Sequence, residues 1–300
     1  MASAAQTFSP GTGVGSAPAS AAQRARPFCQ ASKHGKQPAL STSFTPTQVG
    51  SGVQLNYGPL PLPAAGGYLR RLLIEVVATG GLGSPVGAPD FPWNLINEVR
   101  FLEPNNTPIL DLSGWNLFLA DLFGGFAGTD DPRTDPDYSA SPANPVIEPY
   151  IPIELDTTGV GALADLSSSS AFQLYIAINP NSAIWNTNPS TYPTITVNTF
   201  QDYWTLPNPV DMDNNPQATA PPYPGTIQIW SQIPAISIAT SQRIQLNRMG
   251  NQIRTVIIVA RASGVRNDGA MPANLLLRWD DIILDNVDLQ TLRKELNEWT

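Results

Sequence analysis

Proton transfer and covalent chemistry near neutral pH draw on histidine, cysteine or a tuned carboxylate held rigidly in a pocket. This 300-residue chain has one histidine, His34, and one cysteine, Cys29. Both lie in a stretch of Ala, Ser, Thr, Gly, Pro and Gln without periodicity, read as a flexible arm. Ser-His-Asp, Cys-His and most zinc chemistry are thereby kept out of the folded body. A lone cysteine gives neither an internal disulfide nor a thiolate metal cage. Gly80, Gly81 and Gly83 follow a strand pattern without opening a helix, so they form no phosphate cradle.

Carboxylates remain, and a glycosidase needs only a pair of them. Asp130, Asp131, Asp135 and Asp137 fall in a proline-broken segment, where a solvated acidic face outweighs a catalytic dyad. Asp211, Asp213 and Asn215 have the alternate spacing of a calcium loop. However, Pro216 occupies the place of its glycine and Pro222 that of its bidentate acid, so they are weak metal candidates. Asp280 and Asp281 read as solvated or paired with Arg278. Trp93, Trp115, Trp185, Trp204 and Trp230 could floor a sugar groove. Each lies in or beside an apolar strand, which favours core or interface packing. No catalytic or cofactor-binding residue is assigned, no cofactor is expected, and the chain is read as not an enzyme.

The elements that would carry such residues are strands. Thirty prolines, 23 glycines, 13% charged and 42% hydrophobic residues suit many short strands joined by turns. Strand patterns run over 53–57, 68–77, 94–102, 109–112, 150–155, 172–178, 194–204, 226–230, 236–246, 253–262 and 274–284. Helical spacing occurs at 114–126 and in a capped amphipathic run at 288–299. No helix regularly separates the strands, so a parallel βαβ sheet is excluded and an all-β sandwich of the jelly-roll type is expected. The expected division is a flexible basic arm at 1–47, a first jelly roll at 48–192, a second at 193–287 and a short C-terminal helix at 288–300. Residues 69–80 and 253–264 echo one another, which fits two related units or merely two buried strands.

Charge is uneven. Arg24, Arg26, Lys33 and Lys36 stand in the first 45 residues without an acid, whereas the whole chain has 16 basic and 24 acidic residues. Only the arm has a suitable sign for nucleic acid or anionic lipid, and these four residues are its assembly candidates. With no charged leader before an apolar run, and no apolar stretch of about 18 residues, the chain reads as neither secreted nor membrane-spanning by its own sequence.

Gly67 to Val76, Asn94 to Phe101 and Pro108 to Gly114 resemble the opening of double jelly-roll major capsid proteins of tailless icosahedral bacteriophages with an internal membrane. Ile151 to Leu155, Gly161 to Leu163, Phe172 to Ile178 and Gly250 to Arg254 continue the likeness. The resemblance implies a structural virion protein whose homotrimeric capsomers meet neighbouring capsomers and minor capsid or penton proteins. It also implies strands upright to the shell and an internal membrane beneath, with membrane or genome touched through the arm and assembly in the host cytoplasm. About a dozen strands are legible where two jelly rolls would use sixteen; one elaborated jelly roll is the alternative to the preferred two. The rival function is a carbohydrate-binding sandwich of a virion spike or receptor-binding protein.

Overall fold

The computed structural model describes residues 25–123, 141–152, 163–166, 171–221 and 229–233. Towards the C-terminus it also describes 244, 246, 253, 255–263, 265–267, 274–279 and 282–288. The expected helix at 288–300, the acidic stretch at 130–137 and the strand at 236–246 lie wholly or almost wholly outside these residues.

In chain order the elements begin with α1 (Phe28–Ala31), β1 (His34–Phe44), α2 (Pro46–Val49), β2 (Leu55–Pro61), β3 (Gly67–Thr79) and β4 (Val86–Gly87). A 3₁₀ turn at Trp93–Leu95 leads into β5 (Ile96–Leu102), β6 (Pro108–Leu112) and α3 (Gly114–Phe123). Then come β7 (Val146–Ile147), β8 (Tyr150–Pro152), β9 (Leu163–Asp165), β10 (Gln173–Ile178), α4 (Asn181–Ile184), β11 (Trp185–Thr187) and β12 (Thr194–Thr205). The last are β13 (Trp230–Ser231), β14 (Arg261–Ala262), β15 (Val265–Arg266), β16 (Asn274–Trp279) and β17 (Ile282–Asp288).

Two sheets dominate. One has the order β1-β12-β3, with β7, β8 and β9 along the far side of β3; the other has the order β13-β6-β5-β10-β2. The pairs are nested: β1 with β12, β2 with β10, β3 with β7–β9, and β5 with β6, all antiparallel. A long hairpin rolled over itself so that successive strands change sheets has this connectivity, which is that of a jelly roll. The all-β jelly-roll expectation is therefore met by strand order alone.

Alternation explains why the sheets face each other. Along β3, Leu69, Leu72, Ile74 and Val76 point inward and are fully buried. They share one core with Val99 and Phe101 of β5, Leu174 and Ile176 of β10, and Ile195 and Val197 of β12. Each such side chain contributes about 1.5–3 kcal/mol of transfer free energy, an upper bound set by the reference chain. The ring of Phe101 stacks on Phe172 at 5.4 Å, closing one end. The helical spacing at 114–126 corresponds to α3, which packs on the 3₁₀ turn, β5 and β8.

Several boundaries differ from those read in the sequence. Residues 25–44, expected as part of a flexible arm, are built into the fold. Phe28 is buried with its ring edge-on to Tyr68, and β1 pairs with β12 along its length. The reason is cross-strand polar pairing that leaves no apolar alternation to read: Ser41 donates to Asn198 at 2.7 Å, and Ser43 and Thr196 meet at 3.0 Å. Thr194–Thr205, assigned to a second unit at 193–287, lies between β1 and β3 and closes the first sheet. Strand β2 runs on past the end of the pattern read at 53–57, through Gly58-Pro59 to Pro61. Gly58 has φ +100°, and a Cβ there would meet the Leu174 carbonyl at 2.5 Å.

Of the strand expected at 253–262, only Arg261–Ala262 forms one, paired with Val265–Arg266. The echo with β3 does not extend to packing, since Ile253, Val256 and Ile258 are exposed where Leu69, Leu72 and Ile74 are buried. The single strand expected at 274–284 is instead the antiparallel pair β16 and β17.

Candidate functional site

The strongest convergence of charged side chains lies on the outer face of the first sheet, at the end where β1 begins. A bulge creates it. Alternation would put Arg70 and Arg71 on opposite faces, but the register slips here, with Asp202 opposite Arg71 and Tyr203 opposite Leu69. Leu69 and Leu72 both stay inside while Arg70 and Arg71 both turn outward, as an inserted residue requires. Asp202, 2% exposed, lies beneath them. Its Oδ2 accepts from Arg71 Nε at 2.8 Å and lies 3.8 Å from Arg70 Nη1, while Oδ1 contacts His34 Nε2. Such partners are what a buried carboxylate needs. The His34 ring lies 5.3 Å from that of Trp204, and the Arg71 guanidinium lies 4.4 Å over the ring of Tyr150. Lys36 stands opposite Asp202 on β1 and is exposed; Lys33, just before the strand, is also exposed. Four residues further along β3 from Arg71, Glu75 accepts from Asn198 Nδ2 at 2.6 Å.

A second carboxylate is held differently. Asp121, on α3, has one oxygen 3.4 Å from the Tyr150 N–H and the other buried without a hydrogen-bond partner. Burial raises its pKa to about 6, against the smaller opposing pull of that N–H and of Arg71. Asp165 is also raised by burial, against the Ala65 N–H that donates to it at 2.8 Å.

The residues singled out in the sequence are dispersed. Asp211 accepts from the backbone N–H of Asp213 at 2.9 Å and of Asn215 at 2.8 Å, and from Asn215 Nδ2 at 3.0 Å. Its pKa is held low chiefly by Asn215. The aspartate thus caps its own turn, which accounts for the spacing that suggests a calcium loop. Among the described residues no three potential metal ligands cluster. Cys29 is exposed.

Of the assembly candidates, Arg26 is tied by its backbone to Pro216 and Ala218, and Lys36 belongs to β1; Arg24 lies outside the described residues. The tryptophans divide. Trp93 is buried and stacks on Phe118 at 4.7 Å, and Trp185 is buried with its Nε1 donating to the Pro142 carbonyl at 2.6 Å. Trp204 and Trp230 are partly exposed. The Arg70-Arg71 doublet inside an alternating strand was the sequence signal for the bulge. Nothing local signalled Asp202 or Asp121 as buried.

No family model and no curated protein matches the chain. Thirteen chains of solved structures do. They include the major capsid protein in "Crystal Structure of the STIV MCP", with 12% identity, TM-score 0.36, and 58% of this chain and 49% of that one covered. "Life in the extremes: atomic structure of Sulfolobus Turreted Icosahedral Virus" has 12% identity, TM-score 0.36 and coverages of 61% and 51%. "PBCV-1 virus capsid, quasi-atomic model" has 16% identity, TM-score 0.38 and coverages of 58% and 43%. These are double jelly-roll major capsid proteins. This chain spans about half the length of the solved proteins it matches. Its jelly roll rests on its own strand order.

Proposed function

We propose that the chain is a structural subunit of a viral shell, a major capsid protein working through trimeric capsomers. The observation that carries this reading is the nested strand order of a jelly roll whose interior is filled by side chains. Jelly rolls serve as capsid subunits, lectins and cupins. A cupin presents metal ligands inside its barrel, whereas here the inside carries Leu, Ile, Val and Phe and the chain's one histidine lies on the outer face. A lectin presents aromatic faces to solvent, whereas Trp93 and Trp185 are committed to the core and Trp204 and Trp230 are only partly exposed. The reading is of a rigid block that acts by meeting other blocks.

A second jelly roll would be built from the chain after Thr205. Its boundary then lies beyond β12 rather than at residue 193. Strand β13 supports continuity between the two parts, since it runs parallel to β6, with Trp230 opposite Leu110. Arg261, in the same later part, pairs with Asp90 at 2.5 Å. Residues 1–24, with Arg24, remain the segment suited to touch an internal membrane, genome or minor capsid protein.

Size-exclusion chromatography with light scattering tests the reading. A shell subunit elutes as trimers or larger species. A strictly monomeric chain that binds a glycan would support the spike alternative instead.

A further inference from the structure

The basic end of the first sheet carries more charge than its buried acid uses. Lys36, Arg70 and Arg71 lie about one carboxylate, Asp202, and Lys33 immediately precedes the same strand, so the cations at this end of the sheet outnumber the acid. The chain as a whole is −8. Both lysines are exposed, and Arg70 and Arg71 are 27% and 21% exposed, so the charge faces solvent. We propose that this patch is a docking surface for a second copy of the chain, held by the copy's acid-rich stretch at residues 129–137.

That stretch has Asp130, Asp131, Asp135 and Asp137 against Arg133, a local charge of −3 that opposes the patch in sign. Phosphate polymers and anionic membranes face the repulsion of an acidic chain, whereas each copy of this chain brings the complementary charge with it. The bulge fixes the direction of the contact. It turns two arginines outward side by side and anchors them on Asp202 and Tyr150, so the cationic surface is ordered before a partner arrives. The inference rests on the shell-subunit reading, in which copies must meet one another.

The test uses the full chain in sedimentation velocity over a range of concentrations, at about 0.1 M and about 1 M salt, where the screening length falls from about 10 Å to about 3 Å. Wild type should associate with concentration, and more weakly at high salt. Lys36→Glu, at an exposed position, should keep the circular dichroism of the wild type and raise the dissociation constant about tenfold or more. Asp135→Lys with Asp137→Lys should do the same, and the combination of all three should recover most of the loss.

Unchanged association in Lys36→Glu, or a combination no better than its parts, would overturn the inference while leaving the shell reading in place. So would loss of binding to phosphatidylserine vesicles or duplex DNA in Lys36→Glu with self-association intact, since the patch would then serve lipid or nucleic acid. A wild type that does not self-associate at all would overturn both.

Discussion

Replacing Asp121 by Asn should stabilise the protein at neutral pH and have little effect in acid. The side chain lies between α3 and the start of β8, with one carboxyl oxygen buried and unpaired. Its folded pKa is about 6 against an ordinary 3.8, with desolvation the largest cause. The native state therefore binds a proton more readily than the unfolded chain. The stabilisation is fully present below about pH 4, is lost as pH rises through about 6, and leaves a constant penalty above that. A shift of about two units corresponds to about 3 kcal/mol, and partial hydration of the site reduces this to about 2 kcal/mol. Asparagine keeps an acceptor for the Tyr150 N–H and carries no charge. At pH 8 the variant should gain about 2 kcal/mol, or about 3 °C in Tm for a protein of this size. At pH 4 the two proteins should agree within about 0.5 kcal/mol. Urea unfolding at pH 4, 5, 6, 7 and 8 measures the difference directly. An offset that does not change between pH 4 and pH 8, or a variant less stable at pH 8, would refute the reasoning.

Asp202→Ala should cost about 3 kcal/mol, because it leaves Arg71 and His34 without their shared acceptor; the partial exposure of Arg71 keeps the loss at the lower end for a broken buried pair, and chemical denaturation reads it. Deleting residues 1–24 should leave the melting transition within about 1 °C, whereas deleting through Phe44 removes β1 and exposes the β12 edge. The longer truncation should melt well below the wild type or fail to fold, as followed by circular dichroism.

The parts of the fold that were legible are those where packing follows a local period. Leu69, Leu72, Ile74 and Val76 announce a buried strand because one face of β3 meets the core, and α3 shows the spacing of a helix lying on a sheet. β1 was not legible, since Ser41 and Ser43 stabilise an edge strand through cross-strand partners that lie more than 150 residues away in sequence. The closing role of Thr194–Thr205 is likewise non-local. Its alternation is plain, but nothing in it says that its neighbours are β1 and β3 rather than strands that follow it. The basic end of the sheet was half legible, because Lys33 and Lys36 were recognised as charges suited to assembly. Their union with Arg70, Arg71 and Asp202 needed the register slip, which depends on two strands at once. The spacing at Asp211, Asp213 and Asn215 is ambiguous in the sequence, because an aspartate that caps its own turn has the same alternation as a metal loop.

The central claim is that this jelly roll builds a shell, and electron microscopy of the purified full chain, concentrated under assembly conditions, tests it most directly. The account predicts capsomers of three-fold symmetry that tile into closed or partly closed particles. A field of single, non-interacting subunits at every concentration would contradict it.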